Sequence, residues 1–123
     1  MDTQIKATSL GKAFYEKNED LGNVSGTLEL DFAKERFQTG TMTGNITGQS
    51  FVNVPPAPYV GLITYTLIDG EAFDFTFDAK FRTNGGAVPL HAGGSKKVWT
   101  IWTDDGGTTY NLVVLGSNMV AIP

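Results

Sequence analysis

The chain has no cysteine and only one histidine, His91, among 123 residues. The first absence excludes a disulfide framework, a thiolate metal site and a cysteine nucleophile. The second leaves imidazole chemistry to a single side chain in a glycine-rich loop with no partner nearby in sequence. Basic residues are scarce: 9 Lys and Arg stand against 13 Asp and Glu, a net charge of −4. Nucleic acid is therefore excluded as a partner, because phosphate binding needs a basic face. No apolar run approaches the roughly 18 residues of a membrane span. Met1-Asp2-Thr3-Gln4 opens polar, without the charged-then-apolar preamble of a signal peptide. Neither a Gly-x-Ser-x-Gly elbow nor a metal-ligand spacing appears, so no metal, cofactor or catalytic residue is assigned. No segment has a helical period.

What is present is alternation. Ala72 to Arg82 reads AFDFTFDAKFR, with Phe73, Phe75, Phe77, Ala79 and Phe81 on one side and Asp74, Thr76, Asp78, Lys80 and Arg82 on the other. That is the period of a strand with one dry face and one wet face. Val24, Gly26, Leu28, Leu30 and Phe32 alternate in the same way within Asn23 to Phe32, as do Tyr59, Gly61, Ile63, Tyr65 and Leu67 within Tyr59 to Ile68. Further strands are expected at Ile5 to Thr8, Lys12 to Lys17, Phe37 to Thr47 with a bulge near Gly40, Ser50 to Val54, Lys97 to Thr103, Thr108 to Leu115 and Met119 to Ile122. The expected fold is all-β, one domain over residues 1–123: a small antiparallel up-and-down barrel of about eight strands. A two-sheet β-sandwich is the alternative. Closure favours the barrel, since it removes exposed edges.

The segment LELDFAKERFQTGTMTGNITG resembles the hairpins of bacterial surface-lipoprotein barrels of the transferrin-binding-protein type, over roughly a fifth of the chain. The glycine-aromatic motifs expected later in such barrels are missing, so the family is not assigned.

In an up-and-down meander, alternate connections share an end. One end then gathers Lys34, Arg36, Arg82, His91, Lys96 and Lys97 with the two longest loops, Pro55 to Pro58 and Thr83 to Ser95. The other gathers Glu16, Glu19, Asp20, Asp69, Glu71, Asp104 and Asp105. Long loops at one end of a barrel are where binding sites usually sit. A positive rim over an aromatic interior suits an amphipathic or anionic small ligand. Trp99 and Trp102 have opposite parity, so one faces inward and the other can stack on a protein or glycan surface partner. Tyr59 and Tyr65 complete the candidate set, as side chains of the mouth and interior or as proton donors.

Weaker patterns have blander readings. The Thr39-Thr41-Thr43-Asn45-Thr47 row reflects strand propensity, and Asp104-Asp105 with Asp69 and Glu71 matches no calcium-loop spacing. The expected function is a non-enzymatic binding module, exported or on a cell surface by its glycine- and threonine-rich texture. A structural subunit of a virion or filament assembly, hence an oligomer, is the first alternative. A small barrel enzyme of the cyclase or isomerase type is the second.

Overall fold

The computed structural model describes residues 15–123; the expected strand at Ile5 to Thr8 and the start of that at Lys12 to Lys17 lie outside them. The fold is all-β, one curled six-stranded mixed sheet forming a half-barrel. Its strands are β1 (Asn18–Asp31), β2 (Phe37–Val52), β3 (Gly61–Ile68), β4 (Phe81–Arg82), β5 (Lys96–Thr103) and β6 (Tyr110–Met119), in the spatial order β1-β2-β3-β5-β6-β4. Among the described residues no helix is long and apolar enough to cross a membrane.

The closed eight-stranded antiparallel barrel is not what forms. β1 pairs with β2 and β2 with β3 in parallel; only β3–β5 and β5–β6 are antiparallel. Register shows how so short a connection permits parallel pairing. Asn18 faces Phe37 and Asp31 faces Val52, so residues 32–36 must return the chain from one end of the ladder to the other. The six Cα steps from Asp31 to Phe37 span at most about 22 Å. A straight 14-residue β1 would run about 43 Å. The two strands must therefore curl. The ladder slips between Asp20 and Asn23 and on either side of Gly26, and Gly22 and Gly26 hold φ of 73° and 71° there. Only glycine adopts that conformation cheaply, so these positions turn a flat ribbon into an arc. The irregularity expected at Gly40 lies on the β1 side, at Leu21-Gly22.

Expected turns also vanish into long strands. Gly48-Gln49 is mid-strand in β2, and Gly116 to Asn118 lies inside β6. Gln49 is buried and serves the neighbouring segment: its Nε2 donates to the Thr76 carbonyl (2.8 Å) and its Oε1 accepts from Asp78 N–H (2.7 Å). That segment is the phenylalanine run. Its in-and-out alternation holds from Phe73 to Phe77 and breaks at a turn through Ala79 and Lys80, where Ala79 is exposed rather than inward as expected; Phe73, Phe75, Phe77 and Phe81 pack against the core. It forms no long ladder, however. One parallel bridge, Ile46 to Phe75, ties it to β2, and β4 at its far end pairs with Tyr110 and Asn111 of β6. The run thus spans the opening of the half-barrel.

Leu28, Leu30, Met42, Ile46, Ile63, Tyr65, Leu67, Trp99, Ile101, Tyr110 and Leu112 form the buried core. Aromatic contacts link the two limbs of the curl where strand pairing does not. Phe51 of β2 stacks on Tyr110 of β6 with ring centroids 3.8 Å apart, and Phe75 and Phe77 meet Trp99 at 5.1 and 5.5 Å. Backbone hydrogen bonds of the phenylalanine run act alongside these rings: Ile46 N–H donates to the Asp74 carbonyl and Thr76 N–H to the Ile46 carbonyl, both at 2.9 Å, and Tyr110 N–H donates to the Lys80 carbonyl at 3.0 Å.

Candidate functional site

Parallel pairing removes the alternation of ends, and the candidate basic residues separate into two places with two outliers. The first place is the turn between β1 and β2. Asp31 builds it: its Oδ1 accepts from Ala33 N–H and from Asn53 Nδ2, both at 2.9 Å, and its carbonyl accepts from Gln38 Nε2 at 3.0 Å. The Arg36 carbonyl accepts from Thr64 N–H at 2.8 Å, fastening the turn to β3. Lys34 and Arg36 then stand beside a groove of about 480 Å³ whose apolar wall is Phe32, Pro55, Val60 and Leu62. Gly61 makes the groove possible, because a Cβ there would lie 2.7 Å from both Phe32 Cδ2 and Pro55 Cγ. The Arg36 guanidinium lies over the Phe37 ring, 5.3 Å from its centroid, and pairs through Nη2 with Glu16. Its Nε is buried without a partner. Lys34, Arg36 and Glu16 line the groove, and the carboxylates of Asp31 and Glu19 hold the turn behind them through Ala33, Asn53 and Glu35.

The second place is the end of the core. The inward rows of two adjacent strands, Ile63-Tyr65-Leu67 and Ile101-Trp99, continue by parity to Asp69 and Lys97, both buried. Lys97 Nζ lies 3.6 Å from Asp69 Oδ2 and donates to the Ser95 carbonyl at 3.2 Å. His91 Nε2 lies 3.0 Å from the same Oδ2 and 2.8 Å from the Phe73 carbonyl. A carbonyl only accepts, so Nε2 carries the proton. The local sequence hides this partnership, since Asp69 sits 22 residues upstream. Burial opposes the Asp69 charge, but Glu71 N–H, Phe73 N–H, His91 and Lys97 outweigh it and hold the carboxyl below its ordinary value. Burial likewise pulls the Lys97 ammonium down, with Asp69 opposing. The other ring nitrogen, His91 Nδ1, is enclosed without a partner, so the cluster locks the ring and presents no base to solvent. It seals the end of the core.

The remaining candidates scatter. Arg82 pairs through its backbone with Asn111, whose partner Trp102 faces Leu62, so it stands at the opposite end of β5 from Lys96 and Lys97. Lys96 is exposed, beside Ile68 and Met119. Trp99 is buried and Trp102 half-buried, as their opposite parity requires. Tyr59 is exposed on the loop before β3. Tyr65 is fully buried, its hydroxyl without a partner, and burial pushes its pKa far above the ordinary value.

Sequence reasoning missed Glu16 as the partner of Arg36. It also grouped Asp69 with the acidic end, apart from His91 and Lys97, although its parity with Ile63, Tyr65 and Leu67 points inward. Asp105 is a turn-building residue. It accepts from the Thr109 hydroxyl and amide at 2.6 and 3.0 Å and from the Thr103 hydroxyl at 2.9 Å, which lowers its pKa to about 2. Among the described residues no group of three or more His, Asp or Glu side chains could hold a metal ion. No family model, no curated protein and no solved structure matches the chain.

Proposed function

We propose that the protein is a non-enzymatic binding module that holds a small amphipathic anion in the groove beside Lys34 and Arg36. One observation carries the reading: a rigid turn sets two cations beside an apolar wall in a groove of about 480 Å³. That is within the usual range for small-molecule sites, which pair apolar lining with a few convergent polar groups. Glu16 balances Arg36 in the free protein, and an anionic head displaces or shares that contact. The chain tail of the ligand lies along Phe32, Pro55, Val60 and Leu62. The test is a titration with decanoate, and separately with decanol and inorganic phosphate, following backbone amide shifts. Decanoate is expected to move residues 32–36, 53–55 and 60–62 and to bind at least about tenfold more tightly than decanol, the equivalent of 1.4 kcal/mol. Arg36→Gln should remove that preference. Shifts confined to residues 69–76 and 91–97, or no shifts, would overturn the assignment.

A further inference from the structure

The groove beside Lys34 and Arg36 already holds a carboxylate. Of the described residues that line it, Glu16 alone is acidic, and it alone comes from outside residues 32–36, 53–55 and 60–62. Its side chain is 15 % exposed against 39 % for Arg36, so the acid is the more enclosed member of their ion pair. Tyr15, Glu16 and Lys17 belong to no strand, and the ladder to β2 begins only where Asn18 faces Phe37. The acid is therefore delivered by a segment that the sheet does not hold.

That partner uses Arg36 incompletely. Glu16 Oε2 meets Nη2, while Nε, the other donor on the same edge of the guanidinium, is buried without a partner. An arginine edge suits a carboxylate that takes two parallel hydrogen bonds, one from each nitrogen. A buried donor left unmet is costly, so a carboxylate free to approach in the guanidinium plane gains a bond that the tethered one forgoes. The Phe37 ring, 5.3 Å from the guanidinium carbon, steadies that plane. We infer that Glu16 is a tethered competitor: in the free protein it fills the position of the ligand's head, and a ligand carboxylate binds by evicting it and releasing Tyr15 to Lys17 from the groove. The competitor role rests on the groove being an anion site, and adds that the free protein occupies that site itself. Eviction is favoured over sharing, because two carboxylates on one guanidinium edge repel at short range. The observed affinity is then the intrinsic affinity scaled by the fraction of molecules in which Glu16 has left.

Titration of the full chain and of Glu16→Gln with decanoate and with decanol tests it, with backbone nitrogen relaxation of residues 15–17 followed alongside. The substitution removes the charge with little change of shape. The variant is expected to bind decanoate at least about threefold more tightly than the parent, since less of the site is self-occupied, and to bind decanol as the parent does. In the parent, decanoate should raise the fast motion of residues 15–17 toward the level that the variant shows without ligand. Equal decanoate affinity in the two proteins would overturn the inference and leave the groove reading standing. So would residues 15–17 as ordered in the complex as in the free parent, which would mean that Glu16 shares Arg36 with the ligand. Decanoate binding to neither protein would overturn the groove reading and the inference together.

Discussion

Asp69 and Lys97 meet where the inward rows of β3 and β5 run out, with Oδ2 and Nζ 3.6 Å apart and both side chains fully buried. They are diagonal neighbours across an antiparallel pair, since Leu67 faces Lys97 and the Asp69 amide donates to the Ser95 carbonyl at 3.1 Å. Diagonal neighbours on one face are within reach of long side chains. A charge at this position without its opposite would be an isolated ion in the core. The pair therefore closes the end of the half-barrel, and His91 and the 71–73 backbone are organised around its acidic member.

Breaking the pair from one side should be costly. Lys97→Met leaves the Asp69 carboxylate buried, and Asp69→Leu leaves the ammonium buried; each is expected to lose about 3–5 kcal/mol in a denaturant titration. The double variant should recover much of the loss on the Lys97 side, because no uncompensated charge remains. It should not recover all of it, since Glu71 and Phe73 N–H and the His91 ring lose their acceptor. Single variants near the parent stability would show that water reaches the site.

Acid should unfold the protein through the same residue. The folded-state pKa of Asp69 lies below the ordinary 3.8, so its contribution is present in full above that value. It is lost as pH falls through the lower folded-state value, where the native carboxylate finally binds a proton. Stability measured between pH 5 and the acid limit should therefore fall more steeply for the parent than for Asp69→Asn, whose side chain cannot titrate. Parallel slopes would mean that Asp69 is not among the groups driving acid unfolding.

The faces of the strands were legible in the sequence, and their neighbours were not. Period-two alternation placed Leu28, Leu30, Ile63, Tyr65 and the phenylalanines on the inner side, where they are. Alternation reports which way a side chain points and says nothing of which strand lies alongside, so β1 and β2 read as a hairpin although they run parallel. The informative glycines were Gly22 and Gly26, whose left-handed conformation bends β1; sequence alone does not distinguish them from loop glycines. The basic candidates failed to gather because their grouping depended on that hairpin order. Lys97 was read as part of the basic rim, although its parity with Trp99 and Ile101 points inward, where a lysine requires an acid.

Gly40 and Tyr65 offer the sharpest test of the packing between β2 and β3. Gly40 is buried in β2 opposite Leu67, and a Cβ at that position would run into Tyr65 Oη and come within 3.1 Å of Val24 Cγ1. Glycine is thus the space in which the tyrosine hydroxyl sits. Gly40→Ala should overpack the core and lose about 1–3 kcal/mol in thermal or denaturant unfolding. Tyr65→Phe removes a buried hydroxyl that has no partner, so it should be neutral or stabilising, because the native state no longer carries an unsatisfied polar group. Combining them should restore much of what Gly40→Ala loses, since the phenylalanine edge leaves room for the methyl group. The part that remains reports the Val24 contact, which the tyrosine substitution does not relieve. If Gly40→Ala were as damaging with phenylalanine at position 65 as with tyrosine, the hydroxyl would not be what the glycine accommodates. The conformational freedom of Gly40 within β2, rather than its lack of volume, would then explain the residue.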